Sequence, residues 1–223
     1  MKQTIFFSVF ALLLLGFQAN AQVSVKAGVN IASLSSNAEY EDVEEVKNTS
    51  VIGAQAGLTF DLGLSDLFTI QPELLWIQKG GKVAYAFNED NKFSSRTYYN
   101  YVEVPVLAKL KFFNENGKGL YVVAGPYAGL AISGKTKTTL TLLGNTSTDT
   151  ETIEFDNEDA DVRNRRLDWG ASFGAGLKFG NIYLDARYNL GINNLLDSDT
   201  NNNNDDKPYL RNRGIGVVLG YEF

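Results

Sequence analysis

The chain has 223 residues but no cysteine and no histidine. Without cysteine it can form no disulfide, and it has no thiol for lipid attachment behind an export leader. Both absences also remove the usual general base, a thiol nucleophile and most transition-metal sites. Paired carboxylates, for instance Glu73 with Glu103, remain conceivable as a catalytic set. We nevertheless expect no enzyme and no cofactor, because no nucleophile with its base and orienting group can be assembled.

Long apolar runs are also scarce, and the clearest one lies near the N-terminus. Lys2 gives a positive start, residues 5–17 are mostly apolar, and Ala19-Asn20-Ala21 has the form of a cleavage site. The pattern predicts a cleaved signal peptide over residues 1–21; the alternative, a membrane anchor, would need a longer run. The expected domain is then 22–223, with 19 basic and 26 acidic residues and a formal charge of −7. This acidic balance, without a basic stripe, argues against nucleic acid as a partner.

Short stretches of alternating apolar and polar residues fill the rest of the chain. In the last one, Ile215, Val217, Leu219, Tyr221 and Phe223 share one face, because successive side chains of a strand point to opposite sides. Such alternation predicts eight strands, at about residues 23–31, 52–62, 68–77, 98–112, 120–132, 167–179, 182–190 and 214–223.

The predicted connections are alternately long and short. Long ones occupy about residues 35–50, 79–96, 134–165 and 193–212, and tight turns lie between them. In the third, the alternation of Thr138, Leu140 and Leu142 before Gly144-Asn145 predicts that the fifth and sixth strands extend as a hairpin beyond the membrane. The predicted fold class is therefore all-β: an eight-stranded antiparallel up-and-down transmembrane β-barrel in the outer membrane, with short periplasmic turns, long extracellular loops and both termini periplasmic. A soluble barrel or sandwich would explain the alternation but not the unguarded apolar face.

The side chains predicted to point inward include six acids and five bases: Lys26, Asp61, Glu73, Glu103, Lys109, Lys111, Asp168, Lys178, Asp185, Arg187 and Glu222. An eight-stranded barrel is only wide enough for side chains to fill. Charges in such a space should pair, because an unpaired buried charge is very costly. We predict a network of ion pairs that plugs the lumen. A narrow ion path through the network is the alternative.

The polar loops offer one weak metal candidate. Asp197, Asp199, Asn201 and Asp205 place oxygens at alternate positions, as calcium loops do, but Asn202 replaces the expected glycine and Pro208 the expected glutamate. A solvated loop without metal is therefore expected. The acidic stretches 39–45 and 149–161 are interpreted as solvated loops too. Their alternative role is to bind divalent cations that bridge lipopolysaccharide.

Aromatic side chains are predicted to anchor the barrel at both membrane interfaces. The loop-side group is Trp76, Tyr98, Tyr99 and Tyr101. The turn-side group is Phe60, Phe68, Phe112, Phe179, Tyr221 and Phe223.

Four segments resemble recurrent segments of the PorT-like outer-membrane β-barrel proteins of Bacteroidota, often called a porin family: Gln71–Gly80, Tyr101–Lys109, Gly125–Gly129 and Leu184–Gly191. The resemblance implies an eight-stranded outer-membrane barrel without a catalytic motif. It also implies that Phe223, with Tyr221, belongs to the signal that the barrel assembly machinery reads. The expected role is structural or interactive, through the extracellular loops, with outer-membrane lipid and lipopolysaccharide around the barrel and an envelope partner that the residues do not name. The alternative is a narrow channel or a secretion-system accessory, as one founding member of the family suggests.

Overall fold

The computed structural model describes residues 21–36, 47–86, 90–156, 162–198 and 209–223. In this part of the chain the strands are β1 (Ala21–Ser36), β2 (Lys47–Thr49), β3 (Val51–Gly63), β4 (Phe68–Ala86), β5 (Lys92–Phe113), β6 (Lys118–Leu142), β7 (Asn145–Thr152), β8 (Val162–Asn164), β9 (Leu167–Phe179), β10 (Ile182–Gly191), β11 (Leu196–Ser198) and β12 (Leu210–Glu222). Across these residues no helix is long and apolar enough to cross a membrane. The predicted signal peptide, apart from Ala21, lies outside the described residues.

Eight strands form a closed ring in the order β1, β3, β4, β5, β6, β9, β10 and β12. Each is antiparallel to both neighbours, and β12 pairs back with β1 over thirteen residue pairs, from Ser24–Glu222 to Ser36–Leu210. Closure leaves the ring without an unpaired edge. The predicted eight-stranded antiparallel up-and-down barrel is confirmed.

Apolar side chains cover the outside of the barrel, and polar ones fill its inside. Thirty-four of the described large apolar side chains are exposed, with Ile52 at 70% and Leu219 at 60%. The alternate positions of the same strands are buried, and many of them are charged or amide side chains. Soluble monomers rarely expose an apolar surface of this extent, so the outer face suits a lipid environment.

Three tight turns between strands of the ring lie at one end of the barrel, which we call the turn end; the opposite end is the loop end. Residues 64–67, 114–117 and 180–181 connect β3 to β4, β5 to β6 and β9 to β10. Gly180 has a φ of 63°, which suits glycine in a two-residue hairpin. The three predicted short connections are confirmed.

Several strands continue farther toward the loop end than their alternation indicates. The predicted loop over 79–96 is wrong, because β4 runs to Ala86 and β5 begins at Lys92. β6 has 25 residues, whereas a transmembrane strand needs about 9–11. Beyond the bilayer both faces of a sheet meet water, so the alternation fades while the backbone pairing continues. We call this extension, formed by β2, β7 and residues 80–86, 92–99 and 133–142, the outer sheet.

The predicted hairpin in the third long connection exists, although its second strand differs from the prediction. β6 turns at Leu143 and Gly144, where φ is 50° and 77°; its residues 135–142 pair with β7, whereas its residues 118–130 pair with β9. Threonine hydroxyls pair across the two strands, at 3.3 Å for Thr139–Thr148 and 3.0 Å for Thr141–Thr146. The hairpin is therefore an added element above the barrel, and β9 returns to the ring only from Leu167.

Candidate functional site

The lumen holds the predicted charged residues in three successive groups, which we call the turn-end, middle and loop-end layers. Of the eleven predicted side chains ten are buried, and Lys111 is half-buried. None of the ion pairs of the described residues includes Lys111.

The turn-end layer contains two simple ion pairs. Lys109 Nζ lies 2.6 Å from Asp61 Oδ2, and Lys178 is paired with Glu222. The Lys109 ammonium also lies 4.5 Å from the centre of the Tyr121 ring, within the range of a cation–π contact. Each charge in this layer thus has a partner of opposite sign.

The middle layer is built around Arg187. Its guanidinium binds Asp185 through two bonds, Nε to Oδ1 at 2.6 Å and Nη2 to Oδ2 at 2.8 Å. Its Nη1 donates to Glu73 Oε2 at 2.7 Å, and Lys26 Nζ reaches the same oxygen at 2.7 Å. The Tyr121 hydroxyl donates to Asp185 Oδ2 at 2.9 Å. Two cations and two anions therefore form a neutral, geometrically specific cluster.

The loop-end layer places one cation between two carboxylates. Lys79 Nζ lies 2.5 Å from Glu103 Oε2 and 2.9 Å from Asp168 Oδ2. The amide of Asn212 donates to Asp168 Oδ2 at 2.9 Å, and the Lys79 ammonium lies 4.2 Å from the centre of the Tyr127 ring. All these groups are buried. The layer contains two acids and one base, and the single lysine contacts both carboxylates.

Sequence reasoning missed Lys79, because it placed this residue at the start of a loop. The strand parity contained the signal: Ile77 points inward, so the second residue after it points inward too. The hypothetical catalytic pair, Glu73 with Glu103, is distributed over two layers. Glu73 binds Lys26 and Arg187, and Glu103 binds Lys79.

An apolar cluster covers the loop-end layer. Ile77, Tyr99, Tyr101 and Ala131 are buried together, and Leu34, Ile153 and Phe155 pack against them. The placement of Tyr99 and Tyr101 in the outer aromatic group is therefore wrong. They occupy odd positions of β5, as Glu103 does, and so point into the barrel.

The segment after β7 closes the loop end over this cluster. The Ile153 amide donates to the Gly134 carbonyl at 3.0 Å. The Arg166 guanidinium lies 5.0 Å from the centre of the Phe155 ring and 3.2 Å from Asp156 Oδ2. This part of the third long connection is thus packed onto the barrel mouth.

Little free volume remains between the layers. One cavity, lined among others by Lys26, Glu103 and Arg187, has a volume of about 10 Å³. That is room for about one water. A second space, beside Lys79 and Asn212, is too narrow for a water. Neither space could hold a hydrated ion.

The calcium candidate lies mainly outside the described residues, which exclude Asp199, Asn201 and Asp205. Asp197 is described, and its Oδ1 accepts a bond of 2.8 Å from Arg165. Within the described ranges no three His, Cys, Asp or Glu side chains lie close enough together to hold a metal. The acidic stretch 39–45 also falls outside them. The interpretation of residues 149–161 as a solvated loop is wrong for their described part: residues 149–152 belong to β7, and Ile153 and Phe155 pack on the barrel mouth. The acids of β7, Asp149 and Glu151, are exposed.

The C-terminal aromatics lie on the outer surface at the turn end. Phe223 is 74% exposed, and its ring packs edge-on against Tyr221 with 5.3 Å between the ring centres. The Phe223 amide donates to the Val23 carbonyl at 3.0 Å, which joins the end of the chain to β1. Both rings therefore remain accessible from outside the barrel.

A closed eight-stranded barrel with an apolar exterior and a packed, charged interior defines the outer-membrane class of β-barrel. The chain belongs to the outer membrane protein beta-barrel domain family, whose profile matches residues 17–197. Its location is therefore the outer membrane.

Among solved structures, the chain is similar to Ail, the attachment invasion locus protein of Yersinia pestis, with 13% identity, coverage of 92% of this chain and 99% of that chain, and a TM-score of 0.42. Neisserial surface protein A is 14% identical; the match covers 92% of this chain and 99% of that chain, with a TM-score of 0.41. OprG from Pseudomonas aeruginosa is 11% identical; the match covers 91% of this chain and 96% of that chain, with a TM-score of 0.40. No curated protein matches the chain.

Proposed function

We propose that this protein is a plugged outer-membrane barrel with a structural or interaction role, which it performs by displaying the outer sheet and its loops outside the cell. The filled lumen is the observation that carries the proposal. Three layers of ion pairs and an apolar cover occupy the interior, and in the described part of the chain a cavity beside Lys26, Glu103 and Arg187 has a volume of only about 10 Å³. Because the lumen is filled, we assign the function to the part of the chain that extends beyond the bilayer.

The proposal includes an orientation with the turn end in the periplasm. The first residues of β1 and the last of β12 lie together at the turn end, where Ser24 pairs with Glu222. Short periplasmic turns and long outer loops are the rule in such barrels. A cleaved leader over residues 1–21 would supply export. A C-terminal tag that reacts only in permeabilised cells would support this orientation, and a tag that reacts on intact cells would overturn it.

The PorT-like resemblance of the four segments supports a relationship to that group. It also supports recognition of Phe223 and Tyr221 by the barrel assembly machinery, since both rings are exposed. Lipid and lipopolysaccharide of the outer membrane would surround the apolar exterior. An envelope partner would then contact the outer sheet or the loops.

The proposal assigns no catalytic step and no cofactor. The carboxylates that could have formed an acid–base pair are each bound by a buried cation, Glu73 by Arg187 and Glu103 by Lys79. A narrow channel, the alternative function, would have to separate ion pairs in all three layers. Buried charges do not separate cheaply, because each would be left without a partner in a medium of low dielectric constant.

The test is complementation of a deletion strain with a barrel that lacks the hairpin. Residues 138–149 are replaced by Asn-Gly, which retains the pair Lys137–Thr150 and keeps Ile153 and Phe155 as the cover of the barrel mouth. We expect a heat-modifiable, folded barrel that no longer restores resistance of the cells to detergents and bulky antibiotics. The control replaces residues 114–117 at the turn end with Asn-Gly and should restore resistance. Full rescue by the hairpin-less barrel would refute a role of the hairpin that β6 and β7 form beyond the barrel.

A further inference from the structure

The outer sheet carries three basic residues side by side. Lys82 lies directly opposite Arg96, and Arg96 lies directly opposite Lys137, across β4, β5 and β6. Directly opposite residues share a face and have their Cβ atoms about 5 Å apart. We call Lys82, Arg96 and Lys137 the basic row.

The whole face around the basic row is positive. Lys92 and Lys135 belong to it, because they pair with Thr141 and Tyr98 of the same face. The residues paired around the row are serine, threonine, tyrosine, alanine and glycine, and none is acidic: Thr49, Gly80, Ala84, Ala86, Ser94, Tyr98, Thr139, Thr141, Thr146, Thr148, Thr150 and Thr152. The acids of β7, Asp149 and Glu151, point to the other face, since they alternate with Thr150, the partner of Lys137. A face with five cations in a chain of net charge −6 is a strong local asymmetry.

The basic row is unfavourable on its own. Like charges directly opposite each other destabilise a sheet. No ion pair among the described residues includes Lys82, Arg96 or Lys137. In the lumen, by contrast, each of the five buried cations lies against a carboxylate. Among the described residues no carboxylate neutralises the row, so these cations are free to bind anions from outside the chain.

The position of the row indicates where these anions are. Arg96 lies an even number of residues from Val102 in β5, so both side chains point to the same face. Val102 and its partner Trp76 are exposed on the outside of the barrel. The basic face therefore continues the lipid-facing surface of the barrel. Arg96 lies six residues beyond Val102, about 20 Å along the strand. Lys135 lies three residues beyond the exposed Ile132, about 10 Å along the strand. Long basic side chains at this height reach the headgroups that border the apolar band.

A second strand, on the other side of the barrel, shows the same feature. Arg211 and Arg213 of β12 are exposed on its outer face near the loop end, where they pair with Ser35 and Ser33. The outer face of the loop end therefore carries cations on more than one side.

We propose that the basic row binds the phosphate groups of lipopolysaccharide in the outer leaflet. Arginine forms bidentate bonds with phosphate and lysine adds a mobile point charge, so this set suits a phosphorylated sugar headgroup. The inference rests on the orientation given above, with the loop end outside the cell. The row fixes the height of the barrel in the membrane and couples the outer sheet to the lipid surface.

The test measures binding of lipid A to the refolded full chain in uncharged detergent micelles, where orientation plays no part. Diphosphorylated lipid A should bind, and lipid A treated with phosphatase should bind about tenfold more weakly or worse. Arg96→Gln/Lys137→Gln should lose about tenfold in affinity, whereas Arg96→Lys/Lys137→Arg should retain most of it. The matched control, Lys111→Gln/Lys118→Gln, removes the same charge at the turn end and should bind as the original chain does. Salt should weaken binding of the original chain more than that of the row variant.

The inference is overturned if the row variant, confirmed as folded by its gel shift, binds lipid A as the original chain does. It is also overturned if dephosphorylated lipid A binds equally well. Full competition by inorganic phosphate, or equal binding of a soluble sulfated polysaccharide, would mean a general anion surface in place of a lipid contact. Failure of this test leaves complementation by the hairpin-less barrel untouched, so the two proposals fail separately.

Discussion

Lys79 gives the sharpest test of the packed lumen. Its ammonium is buried between Glu103 Oε2 at 2.5 Å and Asp168 Oδ2 at 2.9 Å. Lys79→Met keeps a similar side-chain length but leaves two carboxylates without their cation. Breaking a buried ion pair by removing one partner costs about 3–5 kcal/mol. We expect Lys79→Met to lower the free energy of unfolding by about this amount.

The assay is reversible unfolding by urea in lipid vesicles, followed by tryptophan fluorescence. Lys118→Met at the exposed turn end is the control and should change stability by no more than about 0.5 kcal/mol. Lys79→Met combined with Glu103→Gln and Asp168→Asn should recover most of the loss, because the layer then holds no uncompensated charge. If Lys79→Met is as neutral as the control, the loop-end layer is hydrated and our reasoning about it fails.

The remaining predictions concern the two faces of the barrel and its end. Leu219→Arg, on the lipid face of β12, should destabilise by about 2–4 kcal/mol in the same vesicle assay if it lies at the bilayer midplane; a neutral result would reverse our assignment of faces. Gly176→Ala directs a methyl group into the Tyr121 ring and should cost about 1–3 kcal/mol, whereas Gly63→Ala meets nothing within 4 Å and should be neutral. Phe223→Ala should reduce the folded barrel recovered from outer membranes, with refolding in vitro unchanged; equal recovery would contradict the assembly role.

The sequence predicts the barrel well, because each strand has lipid on one side and the packed lumen on the other, and its residues therefore alternate with a period of two. Lipid selects residues such as Leu219 and Val102, and the narrow lumen selects residues such as Glu103 and Lys109. This alternation is lost in the outer sheet, beyond the bilayer, where no lipid lies against the strands. Residues 82–86 and 92–98 have no buried position on either face, so their composition is typical of a loop although their backbone is fully paired.

Strand parity also predicts which side a charge faces but not its depth. Lys109 of β5 binds Asp61 of β3, a strand that is not its neighbour in the ring. Arg187 reaches Glu73 across the lumen, over 114 residues of sequence. Such partners depend on how far each strand is displaced along its neighbours, and the alternation does not encode that displacement. Lys79 shows both effects, since its depth and its place in a strand became visible only in the structure.

The most direct test of the closed lumen is single-channel conductance of the refolded protein in a planar bilayer, with the heat-modified gel shift as the control for folding. The ion-pair layers and their apolar cover predict a folded barrel without steady conductance. Glu103→Gln removes an acid from the layer that has one in excess, and it should be equally silent. Steady conductance of the original chain that changes in Glu103→Gln would contradict the plugged barrel and assign the lumen to an ion path.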